Sequence, residues 1–225
     1  MEIIKNEAEL LNMFCAKNNE REVLREPFYN TNFNEVWSTD NYALIQITPN
    51  VLAKEYPNYE FRITGLDSPC KKVVSVEAIN KALEACPKVD EEIVIQDSEK
   101  CEECDGFGEV YWEYTDNSGH THEREFGCPV CDGTGESTHK KTKKTGKQIV
   151  KEDAVINIGN AYFLAYNISK LKFAMDFLDI SSVELTHNSP KAPNQFVLNE
   201  DIQIVLMPII FGDNHHNCDA VVELK

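Results

Sequence analysis

Apolar residues return at helical spacing in three stretches of this chain and alternate with polar ones between them. Over residues 6–17, Leu10, Leu11, Phe14 and Cys15 form one stripe, with Asn6 placed to cap it and Glu9 following in the first turn. Over 75–86 the stripe is Val76, Ile79, Leu83 and Cys86, with Ser75 as cap and Pro87 as stop. A third stripe, Ile168, Leu171, Met175 and Leu178, predicts a helix over 167–178. Runs rich in strand formers predict strands at 34–39, 42–48, 92–96, 154–158, 161–165, 183–186, 195–198 and 202–207. The order has no regular βαβ crossovers. It predicts an α+β fold: a mainly antiparallel sheet with helices on one face, in three loosely similar helix-plus-strands units.

The segment between 101 and 135 breaks this pattern with two copies of C-x-x-C-x-G-x-G. They read Cys101-Glu-Glu-Cys104-Asp-Gly106-Phe-Gly108 and Cys128-Pro-Val-Cys131-Asp-Gly133-Thr-Gly135. Two residues between cysteines let a tight turn aim both sulfurs at one ion, and four thiolates make a closed tetrahedral set for structural zinc. The following glycines bring backbone amides close enough to donate to the sulfurs. The alternative is two redox or disulfide pairs. A polar, acidic start unlike a signal peptide and the lack of βαβ context favour metal. Between the knuckles, 107–115 and 120–126 read as two strands joined by the turn Asp116-Asn117-Ser118-Gly119. Trp112 and Tyr114 share a face with Val110, either as the ribbon's packing surface or as a platform for bases. The stretch resembles the cysteine-rich zinc finger of DnaJ-type chaperones. That family carries four knuckles and two zincs, so the two knuckles here imply one structural zinc. The sequence contains no His-Pro-Asp tripeptide, so the resemblance implies contacts with protein or nucleic acid and not a co-chaperone role.

Composition narrows the remaining choices. The net charge of −16 argues against a protein that coats nucleic acid. The one dense cationic run holds Lys140, Lys141, Lys143, Lys144 and Lys147, either as a solvated exit strand or as a phosphate-contacting arm. No apolar run is long enough for a membrane span, and Cys15, Cys70, Cys86 and Cys218 form no disulfide framework, which suits a cytoplasmic protein. His215, His216 and Cys218 are candidates for a second metal, or are solvated. Nucleotide-binding, metalloprotease and serine-hydrolase motifs do not occur, and four thiolates would leave zinc no open position for water. The expectation is a non-enzyme.

A second resemblance lies outside the knuckles. Tyr166-Asn167-Ile168-Ser169-Lys170-Leu171, Val183-Glu184-Leu185-Thr186, Asn188-Ser189-Pro190 and Val205-Leu206-Met207-Pro208-Ile209 look like the last half-domain of bacterial DNA polymerase sliding clamps. The run Glu35 to Leu44, with Thr39-Asp40-Asn41-Tyr42 at its turn, is similar to a further clamp strand pair, and Val73 to Ile79 to another unit. The resemblance implies βαβββ units whose inner helices line a hole for duplex DNA and whose outer sheets bind partner peptides. It would make Lys170 and Lys172, on an inner helix, phosphate contacts beside the Lys140–Lys147 run. The expected organisation is clamp-like units over 1–98, a zinc ribbon over 99–138 and a clamp-like unit over 139–225. Two functions follow. One is a clamp-fold accessory protein that binds duplex DNA or a replication or repair protein, with the finger as an extra contact and a homo-oligomer as one expected state. The other is a protein-interaction module without DNA function.

Overall fold

The computed structural model describes residues 3–62, 65, 66, 68–138, 141–210 and 218–225. The chain begins with α1 (Glu7–Asn12), β1 (Phe28–Asn30), β2 (Glu35–Thr39), β3 (Ala43–Ile47), β4 (Asn58–Tyr59), β5 (Pro69–Ser75) and α2 (Val76–Ala85). Next come β6 (Lys88–Gln96), β7 (Glu99–Lys100), β8 (Glu109–Thr115), β9 (Thr121–Gly127), β10 (Glu136–Thr138) and β11 (Lys141–Val150). It closes with β12 (Val155–Ile158), β13 (Ala161–Leu164), α3 (Ala165–Phe177), β14 (Ser182–His187), β15 (Asn194–Val197), β16 (Ile202–Leu206) and β17 (Ala220–Val222). Two compact units result: Met1–Lys88 with Val150–Lys225, and Val89–Ile149.

All three apolar stripes form helices, but their ends follow tertiary hydrogen bonds. Ser75 caps α2 as expected, its hydroxyl accepting from Ala78 N–H at 3.2 Å. Asn6 does not cap α1; it sits in the left-handed region at φ 57° with no side-chain cap bond. α1 also stops at Asn12 instead of running to 17. The Leu11 carbonyl that a continuing helix would offer to Cys15 is taken by Phe14 N–H (3.1 Å) and the Ser38 hydroxyl (2.6 Å).

In the first unit, eight strands pair in the order β4-β1-β2-β3-β16-β15-β14-β5. The three-strand meanders β1-β2-β3 and β14-β15-β16 each follow a helix and meet through their last strands, with Leu44 opposite Val205. From β13 through α3 to β16 the chain realises one strand–helix–three-strand unit. Pairing is antiparallel throughout this sheet except between β1 and β4. A second sheet, β13-β12-β17, shares the core.

Alternation along the strands separates two faces. Val36, Ile45, Ile204, Phe196 and Leu185 point with the helices into the main core, alongside Leu171 and Met175. Phe28, Trp37, Leu44 and Val205 form a separate cluster on the opposite face. Val205 therefore does not back α3, although its neighbours Ile204 and Leu206 do. Leu178, expected on the inner face, is only partly buried. Leu171 is fully buried, so Leu171→Ala should cost about 2–5 kcal/mol in denaturant unfolding. A loss under about 1 kcal/mol would mean that α3 is not packed as described.

Candidate metal centre and outer-face cleft

The two knuckles fold as near-copies of each other around one point. Asp105 and Asp132 take φ 49° and 51°, and Gly106 and Gly133 take φ 85° and 79°, which turns each chain sharply behind its cysteine pair. Gly106 N–H donates to the Cys101 carbonyl (3.1 Å), and Gly133 N–H to that of Cys128 (3.0 Å). The knuckles then exchange bonds. Cys101 N–H donates to the Gly135 carbonyl (2.9 Å), and Cys128 N–H to that of Gly108 (2.7 Å). A Cβ on Gly108 would collide with the Gly133 carbonyl oxygen, and one on Gly135 with that of Gly106. The glycines of the motif are thus where one knuckle meets the other.

This interlock brings Cys101, Cys104, Cys128 and Cys131 together, all buried, with their sulfurs within 4.8 Å of one another. Cys101 and Cys128 sulfurs lie 3.9 Å apart, and those of Cys104 and Cys131 3.8 Å apart. A regular tetrahedron with Zn–S bonds of about 2.3 Å has edges of about 3.8 Å. A disulfide would need about 2.05 Å. The spacing fits a four-thiolate metal centre and not two disulfides. Gly108 N–H donates to Cys104 Sγ and Gly135 N–H to Cys131 Sγ, each at 3.2 Å, the outer-shell support that thiolate ligands need. In the metal-free thiol form, burial pushes Cys101 up to about 11. For Cys131, the Gly135 amide and neighbouring thiols outweigh the desolvation that would raise it, bringing it to about 7.

From the knuckles rises the β8–β9 ribbon, whose register sorts its side chains. Val110 opposite Phe126, Trp112 opposite Arg124 and Tyr114 opposite His122 share one face. Tyr111 opposite Glu125 and Glu113 opposite Glu123 share the other. Among the described hydrophobic residues, Val110 packs against the cysteine cluster. At the turn, Asp116 accepts from His122 Nε2 at 3.0 Å, which with the His120 and Ser118 amides holds its carboxyl below the usual carboxylate range. His120 and His122 are thus part of the ribbon's turn and not of the cysteine centre.

Each of the expected phosphate-binding lysines has its own surroundings within its unit. Lys170 is buried: its side chain is 1% exposed and its ammonium lies 2.5 Å from Asp40, over the rings of Tyr166 and Phe14. Lys172 pairs with Asp176 one turn on. Lys144 pairs with Asp90 at 2.8 Å, while Thr142 and Thr145 hydroxyls donate to Glu92 and Glu91, so the cationic strand β11 runs beside an acidic one. Lys141, Lys143 and Lys147 are exposed on β11. Lys140 lies outside the described residues, as do His215 and His216 of the expected second cluster.

A further site escaped the residue-by-residue reading. On the sheet face away from the helices, a cleft of ≈ 500 Å³ is lined by Tyr42, Leu44, Phe61, Val205 and Met207, together with Arg62 and Lys191. Met207 N–H donates to the Tyr42 carbonyl (2.8 Å), carrying the β3–β16 pairing into the cleft. The Thr39–Leu44 and Val205–Met207 motifs, noted separately in the sequence, are therefore neighbours here.

Neither a described protein family nor a curated protein matches the chain. Among solved structures it is similar to bacterial sliding clamps. The Caulobacter crescentus beta sliding clamp is 10% identical at a TM-score of 0.42, over 91% of this chain and 64% of that one. The DNA polymerase III subunit beta of Pseudomonas aeruginosa is 12% identical at 0.42, over 94% and 66%. That of Borrelia burgdorferi is 13% identical at 0.43, over 91% and 61%. The chain spans less than two thirds of the length of these clamps. Among the described residues no helix is long and apolar enough to cross a membrane.

Proposed function

We propose that this chain is a non-enzymatic docking protein whose outer-face cleft seats an extended segment of a protein partner, while its four cysteines hold one structural zinc. The cleft carries this reading. It combines buried Leu44 and Val205 with exposed Tyr42 (62%) and Met207 (37%), the kind of anchor-bearing groove that peptide segments fill. A partner from DNA replication or repair is the class that the sequence resemblance to clamps suggests. The zinc is structural because its four thiolates would close the coordination sphere, so the metal would hold the ribbon and leave no position for a reacting water.

Duplex DNA is the second reading, supported by exposed Lys141, Lys143 and Lys147 on one strand. It is the weaker one, because burial of Lys170 and pairing of Lys144 and Lys172 remove charges that phosphates would need.

The test uses a labelled extended peptide with Leu and Phe at alternating positions and a terminal carboxylate to meet Arg62 and Lys191. Tyr42→Glu and Met207→Glu should each weaken binding by about tenfold or more, a change of about 1.4 kcal/mol per decade. Equal binding by parent and variants would remove the cleft from the function. Duplex DNA is titrated in parallel at two salt concentrations, with the assembly mass measured. Tight binding that falls with a log–log slope of about 0.9 per phosphate contact would instead favour the DNA reading.

A further inference from the structure

The β8–β9 ribbon exposes more aromatic surface than a free-standing element would be expected to keep. Trp112 is 57% exposed, Phe126 50% and Tyr114 47%. They are ordered as a ladder on one face: Trp112 and Phe126 rings meet edge-on at 6.1 Å, and Tyr114 stacks on His122 at 5.2 Å. The reverse face carries Glu109, Glu113, Glu123 and Glu125. Glu113 and Glu123 stand directly opposite each other, a like-charge pair that weakens a hairpin. Tyr111 donates to Glu125 at 3.2 Å, and the same carboxylate pushes Glu109 up through a hydrogen bond and its charge. From Glu109 to Gly127 the chain carries five carboxylates and one arginine, Arg124, which lies on the aromatic face. The sheet has only these two strands, so each has an outer edge that no strand of the described residues pairs.

From this geometry we propose that the ribbon receives an extended protein segment as a third strand, one whose residues alternate between apolar and basic. A strand added at either edge sends successive side chains to opposite faces. Its apolar or arginine side chains would meet the Trp112–Phe126–Tyr114 ladder. Its intervening Lys or Arg side chains would meet the glutamates and relieve the Glu113–Glu123 repulsion. Nucleic acid has no such two-sided period, and the carboxylates repel its phosphates. The proposal rests on the protein-docking reading of the chain but not on the outer-face cleft.

The experiment titrates the full, metal-loaded chain with a labelled peptide of about six to eight residues in which Arg and Phe or Val alternate. A peptide of the same composition arranged in two blocks serves as control. Trp37 is fully buried, so a change in tryptophan emission on binding reports Trp112. The alternating peptide should bind about tenfold more tightly than its block isomer. Both the Glu113→Gln/Glu123→Gln and the Trp112→Thr/Phe126→Thr variants should lose about tenfold or more. The glutamine pair should also flatten the salt dependence, and Met207→Glu should leave binding unchanged. Metal content per chain verifies that each ribbon variant is folded; the glutamine pair removes only repulsion and decides the matter if the aromatic pair fails this check. Equal binding of the two isomers, unaffected variants, tighter binding of a single-stranded oligonucleotide, or a signal that tracks doubling of the chain's own mass would each overturn the proposal.

Discussion

Replacing Cys104 with serine should strip the metal from the chain and unfold residues 89–149, while the helix-backed sheet keeps its structure. The second unit has almost no core of its own. Its buried cluster is the four cysteines, with Val110 packed against them. Strands β6, β8 and β9 are exposed along nearly their whole length, and two-stranded ladders of this kind are at best marginal in water. What would hold the knuckles together is a metal on the four sulfurs, beside the exchanged bonds between Cys101 and Gly135 and between Cys128 and Gly108. Metal binding and folding are then a single event. Metal analysis should fall from about one zinc per chain to about none. Amide exchange should become fast across 89–149 and stay slow in β3, β16 and α3. Acidification should release the metal from the parent as well, since thiols must lose protons to bind it and affinity falls as pH falls. A metal-free chain whose ribbon amides remain protected would sink this account.

The cysteine cluster was legible because its information is local. C-x-x-C and the glycines behind it fix each knuckle within eight residues, and the repeat marks two such turns able to share an ion. The helices were legible for a similar reason, since stripes such as Ile168, Leu171 and Met175 need only one periodic segment. Short β1 was not, because its three residues, Phe28–Asn30, between Pro27 and the polar Thr31-Asn32, carry too little alternation. The cleft was invisible for a different reason. Tyr42 and Met207 become neighbours only through the β3–β16 pairing, which joins distant parts of the chain. The surroundings of the lysine run were invisible in the same way. Its alternation of Lys and Thr suits a strand, but the acids that balance it, Asp90, Glu91 and Glu92, come from the far side of the ribbon.

Lys170 shows how a residue's class can mislead, and it carries the second large expectation. A lysine on an amphipathic helix ordinarily points to water, but Asn167, Lys170 and Ala174 lie at helical spacing and are all buried on α3 beside the apolar stripe. The ammonium is accommodated because Asp40 waits at the β2–β3 turn. One Asp40 oxygen accepts from Lys170, and the other accepts from the Tyr42 and Ala43 amides at 2.9 and 2.8 Å. The Tyr166 ring adds a face 4.4 Å from the charge. Asp40→Ala leaves that ammonium without a counter-ion and also frees two turn amides. It should cost about 3–5 kcal/mol in denaturant unfolding, a large part of the about 5–15 kcal/mol a domain has. Lys170→Met should cost less, because the thioether refills the space of the stem while Asp40 keeps its two amide donors. Asp40→Asn with Lys170→Met should recover part of the Asp40→Ala loss, since neutral groups in place of both charges remove their desolvation while the Asn carbonyl oxygen can still accept from the turn amides. If Asp40→Ala changes stability by less than about 1 kcal/mol, the pair is solvated and Lys170 returns to the list of charges available to a partner.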